Sequence, residues 1–264
     1  MRMTAGVFGA VVMAAFGTYY FRNKKRNRKQ ALLCKALASA VPGILLLGYL
    51  CGMRTGESAG SIVSGWEHSM TSRAAFAGTL AAIVFYMAAD VLLECRFVWG
   101  AVSFGVGHIC MAAGFLLSGE TVLVWKKSGG CIIDAGLLCL TLAVCVLFAA
   151  AACASLHRYF HSLKKKKLLY PLFAYVLVLS MMASLAVTAG VRICCGYFGG
   201  VSSVGVMIST AGGVVPAAGG LCFAVSDVLL GRNRLGKHRS KVCGALVLIL
   251  YYAAVYLLAM RLWM

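Results

Sequence analysis

Two carboxylates lie inside long apolar runs of this sequence, and each opens the same four residues: Asp90-Val91-Leu92-Leu93 and Asp227-Val228-Leu229-Leu230. They are two of only three aspartates among 264 residues; the third is Asp134. A charged side chain at the centre of a membrane helix costs roughly 2.5–3.5 kcal/mol on insertion scales, unless it is protonated, paired or wet. Such a residue therefore marks a working position. Two of them in matching contexts point to a shared polar site. Paired carboxyl groups suit acid/base chemistry, one giving a proton while the other takes one.

Other polar side chains fall within the apolar runs and are candidates to orient a substrate, a water or the carboxyls: Lys35, His108, Tyr175, Ser226, Tyr251 and Tyr252. Glu94 lies one helical turn beyond Asp90 on the same face. If it shares the site, like-charge repulsion favours a protonated Asp90, which makes Glu94 a candidate modulator.

The elements that position these residues are membrane helices. The chain is 62% hydrophobic and 12% charged, against about 25% charged in soluble domains. Eight runs reach the roughly 20 residues that cross a bilayer: about 3–21, 31–52, 74–94, 97–118, 129–154, 170–191, 203–230 and 243–262. The expected architecture is one integral membrane domain over residues 1–264, an all-α bundle. Backbone polar groups in lipid must be satisfied internally, and these runs lack the alternation of barrel strands. Span 1 is kept as a helix, because its basic block follows it and no convincing cleavage site is present.

The net charge of +18 is explained by placement. Seventeen of the 25 basic residues fall between spans 1 and 2, 3 and 4, 5 and 6, or 7 and 8, whereas seven fall on the opposite side. The positive-inside rule makes the richer side cytoplasmic and both termini extracytoplasmic, in the cell membrane if the source is bacterial. Attraction to anionic lipid headgroups accounts for the charge, and no aromatic-interleaved basic groove suggests nucleic acid.

On that orientation Asp90 and Asp227 end inward-running spans 3 and 7, in the cytoplasmic third. Lys35 and Tyr175 begin outward-running spans 2 and 6 at the same level. His108, Tyr251 and Tyr252 are midway along spans 4 and 8. Polar residues of six helices thus share one half of the bundle. Asp134, near the outer end of span 5, reads as an interfacial residue, and the outer loop 53–73, with Glu57, Glu67 and His68, as a solvated connection.

The shared endings lie 137 residues apart, which suggests that spans 1–4 and 5–8 are parallel four-helix repeats. Span 7 carries Gly212, Gly213, Pro216, Gly219 and Gly220. The spacing of Gly212, Pro216 and Gly220 predicts a small-residue packing face, and Pro216 predicts a bend that opens a cavity beside Asp227. The 12 cysteines show no C-x-x-C pair and no zinc-binding spacing. They read as small core residues, and the vicinal pair Cys194-Cys195 has no assigned role.

The ordered motifs resemble those of the YhhN family of membrane proteins. They are Ala88-Ala89-Asp90-Val91-Leu92-Leu93, then residues 97–108 (FVWGAVSFGVGH) and Phe115. These are followed by 171–181 (PLFAYVLVLSM), 219–230 (GGLCFAVSDVLL) and Tyr251-Tyr252-Ala253-Ala254. Lys35 fits the family's lysine in span 2. The pattern covers spans 2 to 8. Departures fall at Ala89, Ala36, Met111 and Val255, where the family has Gly, Pro, Tyr and Gln, and concern substrate contacts more than the two aspartates.

The characterised members are lysoplasmalogenases. The resemblance implies hydrolysis of the sn-1 vinyl ether of a lysoplasmalogen to a fatty aldehyde and a glycerophospho-headgroup, with no cofactor and no metal. Asp90 and Asp227 would be the acid/base pair, one kept protonated by burial. Lys35 and nearby loop cations would hold the phosphate. A rival reading is a transporter or lipid-translocating protein that uses the two aspartates as proton or cation sites. A second rival is a non-catalytic interaction protein of the same descent.

Overall fold

The computed structural model describes residues 2–55, 70–119, 121–125, 131–165, 167–195, 206–236 and 240–262. Most of the polar connection 53–73, with Glu57, Glu67 and His68, lies outside them, as do Lys126, Lys127, Lys166, Lys237 and Arg239. The described residues include eight helices long and apolar enough to cross a membrane. They are α1 (Arg2–Asn23), α2 (Arg28–Thr55), α3 (Met70–Cys95), α4 (Phe97–Leu117), α5 (Ala135–Leu156), α6 (Leu169–Cys194), α7 (Val206–Leu235) and α8 (Lys241–Met260). A 3-10 turn, His157–Tyr159, and a short helix, Phe160–Lys165, follow α5. At 1.5 Å per residue, 20 residues extend about 30 Å, the thickness of a hydrocarbon core.

Two boundaries have clear local causes. Arg96 alone separates α3 from α4; its extended backbone (φ −143°, ψ 96°) ends one helix and starts the next. Asp134 caps α5 by accepting the Leu137 N–H at 3.0 Å, which satisfies one of the orphan donors of a helix N-terminus. The cap places Asp134 immediately before the first residue of α5. The expected start of span 5 at 129 is corrected to 135. Cys131–Ile133 (β2) pairs antiparallel with Leu123–Trp125 (β1), with Val124 opposite Ile132. The β-branched isoleucines favour a strand there.

The chain packs as two compact units, one of residues 1–119 and 259–264, the other of residues 120–258. The break falls between the fourth and fifth helices, where the expected halves meet.

In the first unit α3 and α4 are the closest pair, with α2 against α3 and α1 against α2. The α3–α4 approach depends on glycine. A Cβ on Gly78 would come within 2.8 Å of the Cys110 carbonyl, and one on Gly107 within 2.5 Å of the Tyr86 ring. Tyr86, Leu46, Met111 and Phe115 are fully buried in this unit. The Arg261 guanidinium lies 3.5 Å from the Phe115 ring centroid, a cation–π contact that keeps the cation against an apolar wall.

In the second unit α6 and α7 are the closest pair, and α5 packs on both. Ala183 and Ala186 of α6 meet Gly220 of α7, where an added Cβ would lie 2.8 Å from the Ala186 Cβ. Gly213 abuts Gly190 and Cys194. The small-residue face is therefore set by Gly213 and Gly220. Among the described residues, a Cβ on Gly212 would have its nearest neighbour at 3.8 Å, an ordinary contact. The α-helix runs through Pro216 from Val206 to Leu235. Thr141 of α5 and Thr188 of α6 share a hydroxyl hydrogen bond of 2.8 Å. Arg192, one of the seven basic residues expected on the side opposite the richer one, is 5% exposed and donates to the Thr121 carbonyl at 2.7 Å.

Candidate active site

In the first unit Asp90 is 1% exposed near the end of α3. One of its carboxylate oxygens faces the Lys35 ammonium of α2 at 3.3 Å. The other accepts a short hydrogen bond from the Ser39 hydroxyl. Lys35 also donates to the Asp90 carbonyl at 3.3 Å and lies 3.9 Å from Glu94 Oε1. Lys35 and Ser39 are four residues apart, so α2 presents both from one face. Lys35 is 6% exposed, so it does not snorkel to the surface. Its cation is engaged by two carboxylates.

Glu94 is thus drawn to the same ammonium as Asp90, with the cation between them. It also accepts the Tyr20 hydroxyl of α1 at 2.8 Å, and its backbone carbonyl accepts Arg28 at 2.8 Å. A buried ion pair is stable only where further hydrogen bonds satisfy its remaining groups. Removing one partner of such a pair costs about 3–5 kcal/mol. Here the Asp90 carboxylate has both an ammonium and a hydroxyl, each charge-assisted.

His108 of α4 is completely buried and shares a 3.1 Å hydrogen bond through Nδ1 with the Tyr86 hydroxyl. Phe104 and Tyr86 enclose its ring, with centroids 6.3 and 5.5 Å away. Tyr86 is one turn before Asp90 on the same face of α3. The close approach at Gly107 lets Tyr86 reach across to His108.

In the second unit Asp227 of α7 is 8% exposed and accepts the Tyr175 hydroxyl of α6 at 2.5 Å. One turn earlier, Phe223 meets Tyr251 of α8 edge-on at 5.6 Å, and Tyr251 neighbours Tyr252 at 5.3 Å. Ser226 donates to the Val247 carbonyl at 3.1 Å and so ties α7 to α8. The structure therefore brings Lys35 and Glu94 to Asp90, and Tyr175 to Asp227. Among the described residues, no three of His, Cys, Asp or Glu form a group able to hold a metal ion.

Three partners were missed from sequence. Ser39 is a hydroxyl among the small residues of an apolar run, but its place one turn from Lys35 was a usable signal. Tyr86 stands in the same relation to Asp90. Tyr20 ends a helix that carries no motif, and no local pattern links it to Glu94, 74 residues away.

No curated protein and no solved structure matches the chain. A family model does match, over residues 34–262, from the turn of α2 that carries Lys35 to the end of α8. That match takes in both aspartates, their partners Lys35, Ser39 and Tyr175, and Glu94, but not Tyr20, and on it the chain belongs to the YhhN family.

Proposed function

We propose that the protein is a lysoplasmalogenase-type hydrolase that cleaves the sn-1 vinyl ether of a lysoplasmalogen. Membership of the YhhN family is compatible with a hydrolase. The observation that carries the reading is the buried Asp90, braced by Lys35 on one oxygen and Ser39 on the other. A carboxylate held in that way inside an apolar helix bundle is preorganised for charge that develops in a reaction.

The two-carboxyl chemistry that the family resemblance implies gives each aspartate a role. An ammonium and a hydroxyl donor complement an anion, so Asp90 is assigned the carboxylate role and Asp227 that of the acid. Asp227 protonates the β-carbon of the vinyl ether, which leaves an oxocarbenium ion that Asp90 stabilises. Asp90 then takes a proton from water as its oxygen adds to the cationic carbon, giving a hemiacetal. Asp90 returns that proton to the glycerol oxygen as the C–O bond breaks, and Asp227 recovers the proton of the hemiacetal hydroxyl. The products are an aldehyde and an alcohol, and both carboxyl groups end as they began. This is the division of labour between two carboxyl groups seen in glycosidases. Tyr175 orients Asp227, and Lys35 orients Asp90. His108, Tyr251, Tyr252 and Ser226 belong to the surrounding shell.

The test is direct. Protein purified in detergent and supplied with a lysoplasmalogen should release fatty aldehyde, and an ester lysophospholipid should not substitute. No aldehyde from folded protein would sink the reading. The division into two units of four helices favours a second reading, a transporter with one intramembrane carboxylate per half. Substrate-dependent flux in proteoliposomes without aldehyde release would select it.

A further inference from the structure

We propose that Tyr20 is a positioning residue for Asp90, so that α1, which precedes the matched family region, completes the hydrolytic site. The inference rests on the hydrolase reading above and extends it to a helix that the family match leaves out.

The geometry is a relay of contacts within the first unit. The Tyr20 hydroxyl donates to Glu94 Oε1 at 2.8 Å. That oxygen lies 3.9 Å from the Lys35 ammonium, and the ammonium lies 3.3 Å from Asp90 Oδ1. The Tyr20 ring lies against the same ammonium, 5.3 Å from its centroid. Tyr20 itself is 6% exposed, so its hydroxyl is placed rather than solvated.

A lysine ammonium is a compact charge on a flexible four-carbon stem with three donors. Asp90 alone does not fix it. Here three oxygens surround it, the carboxylate and carbonyl of Asp90 and the carboxylate of Glu94, with an aromatic face beside them. The attraction to the ring adds to the ion pairs where water is excluded. Glu94 is partly exposed, with a side chain 26% accessible, and the Tyr20 hydroxyl helps hold its Oε1 toward Lys35. Loss of that hydroxyl loosens Glu94 and lets the ammonium shift relative to Asp90. The charge balance around the carboxylate then changes, although no residue that touches substrate has been altered.

The test compares Tyr20→Phe, Glu94→Gln and the double variant in the full-length protein. Tyr20→Phe keeps the ring and removes only the hydroxyl. It should lower kcat for aldehyde release by roughly tenfold, the scale of one hydrogen bond to a charged group, with KM within about twofold. Tyr20→Leu, which also removes the ring, should lose more. The double variant should be no slower than Glu94→Gln alone, because the two act as a unit. Unchanged kcat in folded Tyr20→Phe, or losses that simply multiply in the double variant, overturns the proposal.

Thermal unfolding of the same set in detergent reads the contact without activity. The Tyr20 and Glu94 changes should be non-additive in melting temperature, and additivity overturns the clamp. Non-additive unfolding across the variants, together with a wild type that releases no aldehyde, would mean that the contact stands while the hydrolase reading falls.

Discussion

At the scale of the residue, the two aspartates were legible because carboxylates are scarce in apolar runs and expensive to bury. Their partners were less so. Lys35 was visible as a lone cation inside a span, whereas Ser39 resembles any small helical residue until its oxygen is placed on Asp90. Asp90→Asn and Asp227→Asn are nearly isosteric and should leave folded protein, yet each removes a proton acceptor or donor. General acid/base catalysis contributes roughly 10²–10⁴-fold, so each should reduce aldehyde release by about that factor, and the double variant should be little worse than the worse single. Asp134→Asn is the control. Asparagine caps a helix about as well as aspartate, so turnover and melting temperature should both be unchanged. Near-wild-type turnover in both site variants would end the catalytic assignment. With one carboxyl required protonated and the other ionised, the pH–rate profile of the wild type should be bell-shaped. The steps invoke no metal, so EDTA should leave the rate intact. Loss of activity that a divalent ion restores would overturn the metal-free mechanism.

At the scale of the element, spans were legible from length and apolarity, and their order agrees with the structure to within a few residues. The exception is instructive. Cys131-Ile132-Ile133 is apolar and continuous with span 5 in sequence, so hydrophobicity alone could not separate strand from helix. Pairing with Leu123–Trp125, a short way upstream, decides it, and nothing in the composition of the run itself announces that partner. Likewise the glycines of span 7 announced close packing, while the face that packs is set by the neighbour. This gives a sharp comparison. Gly220→Val inserts side-chain carbon against Ala186 and the Ala183 carbonyl, and overpacking of this kind costs about 1–3 kcal/mol. Among the described residues Gly212→Ala meets nothing closer than 3.8 Å, and it should be neutral or slightly stabilising, since alanine is the better helix former. Thermal unfolding in detergent should show a clear loss for the first and none for the second. Equal losses would return the packing face to Gly212.

At the scale of the whole molecule, the distribution of charge carries the expectation that matters most for where the reaction occurs. Seventeen basic residues lie in or beside the connections on one side of the eight expected spans and seven on the other. Arg192 makes the contrast sharper, because it is buried against the Thr121 carbonyl rather than offered to a membrane surface. Insertion responds to lysine and arginine in short loops near helix ends. The connections after α1, α5 and α7 are of that kind, and with the helix ends that flank them they carry six, five and five cations. The expected outcome is that these three connections face the cytoplasm and both termini face outward. Asp90 and Asp227, near the ends of α3 and α7, then open toward the cytoplasmic leaflet, where a lysophospholipid would present its headgroup beside the basic loops. A reporter fused after residue 165, or a single cysteine placed there in a cysteine-free background and probed with an impermeant thiol reagent, should read as cytoplasmic. A tag at the C-terminus should read as external. The reverse pair of results would invert the protein and move the proposed chemistry to the opposite leaflet. Both ends on one side as residue 165 would require an odd number of crossings in each arm to be abandoned, and with it the reading of all eight helices as spans.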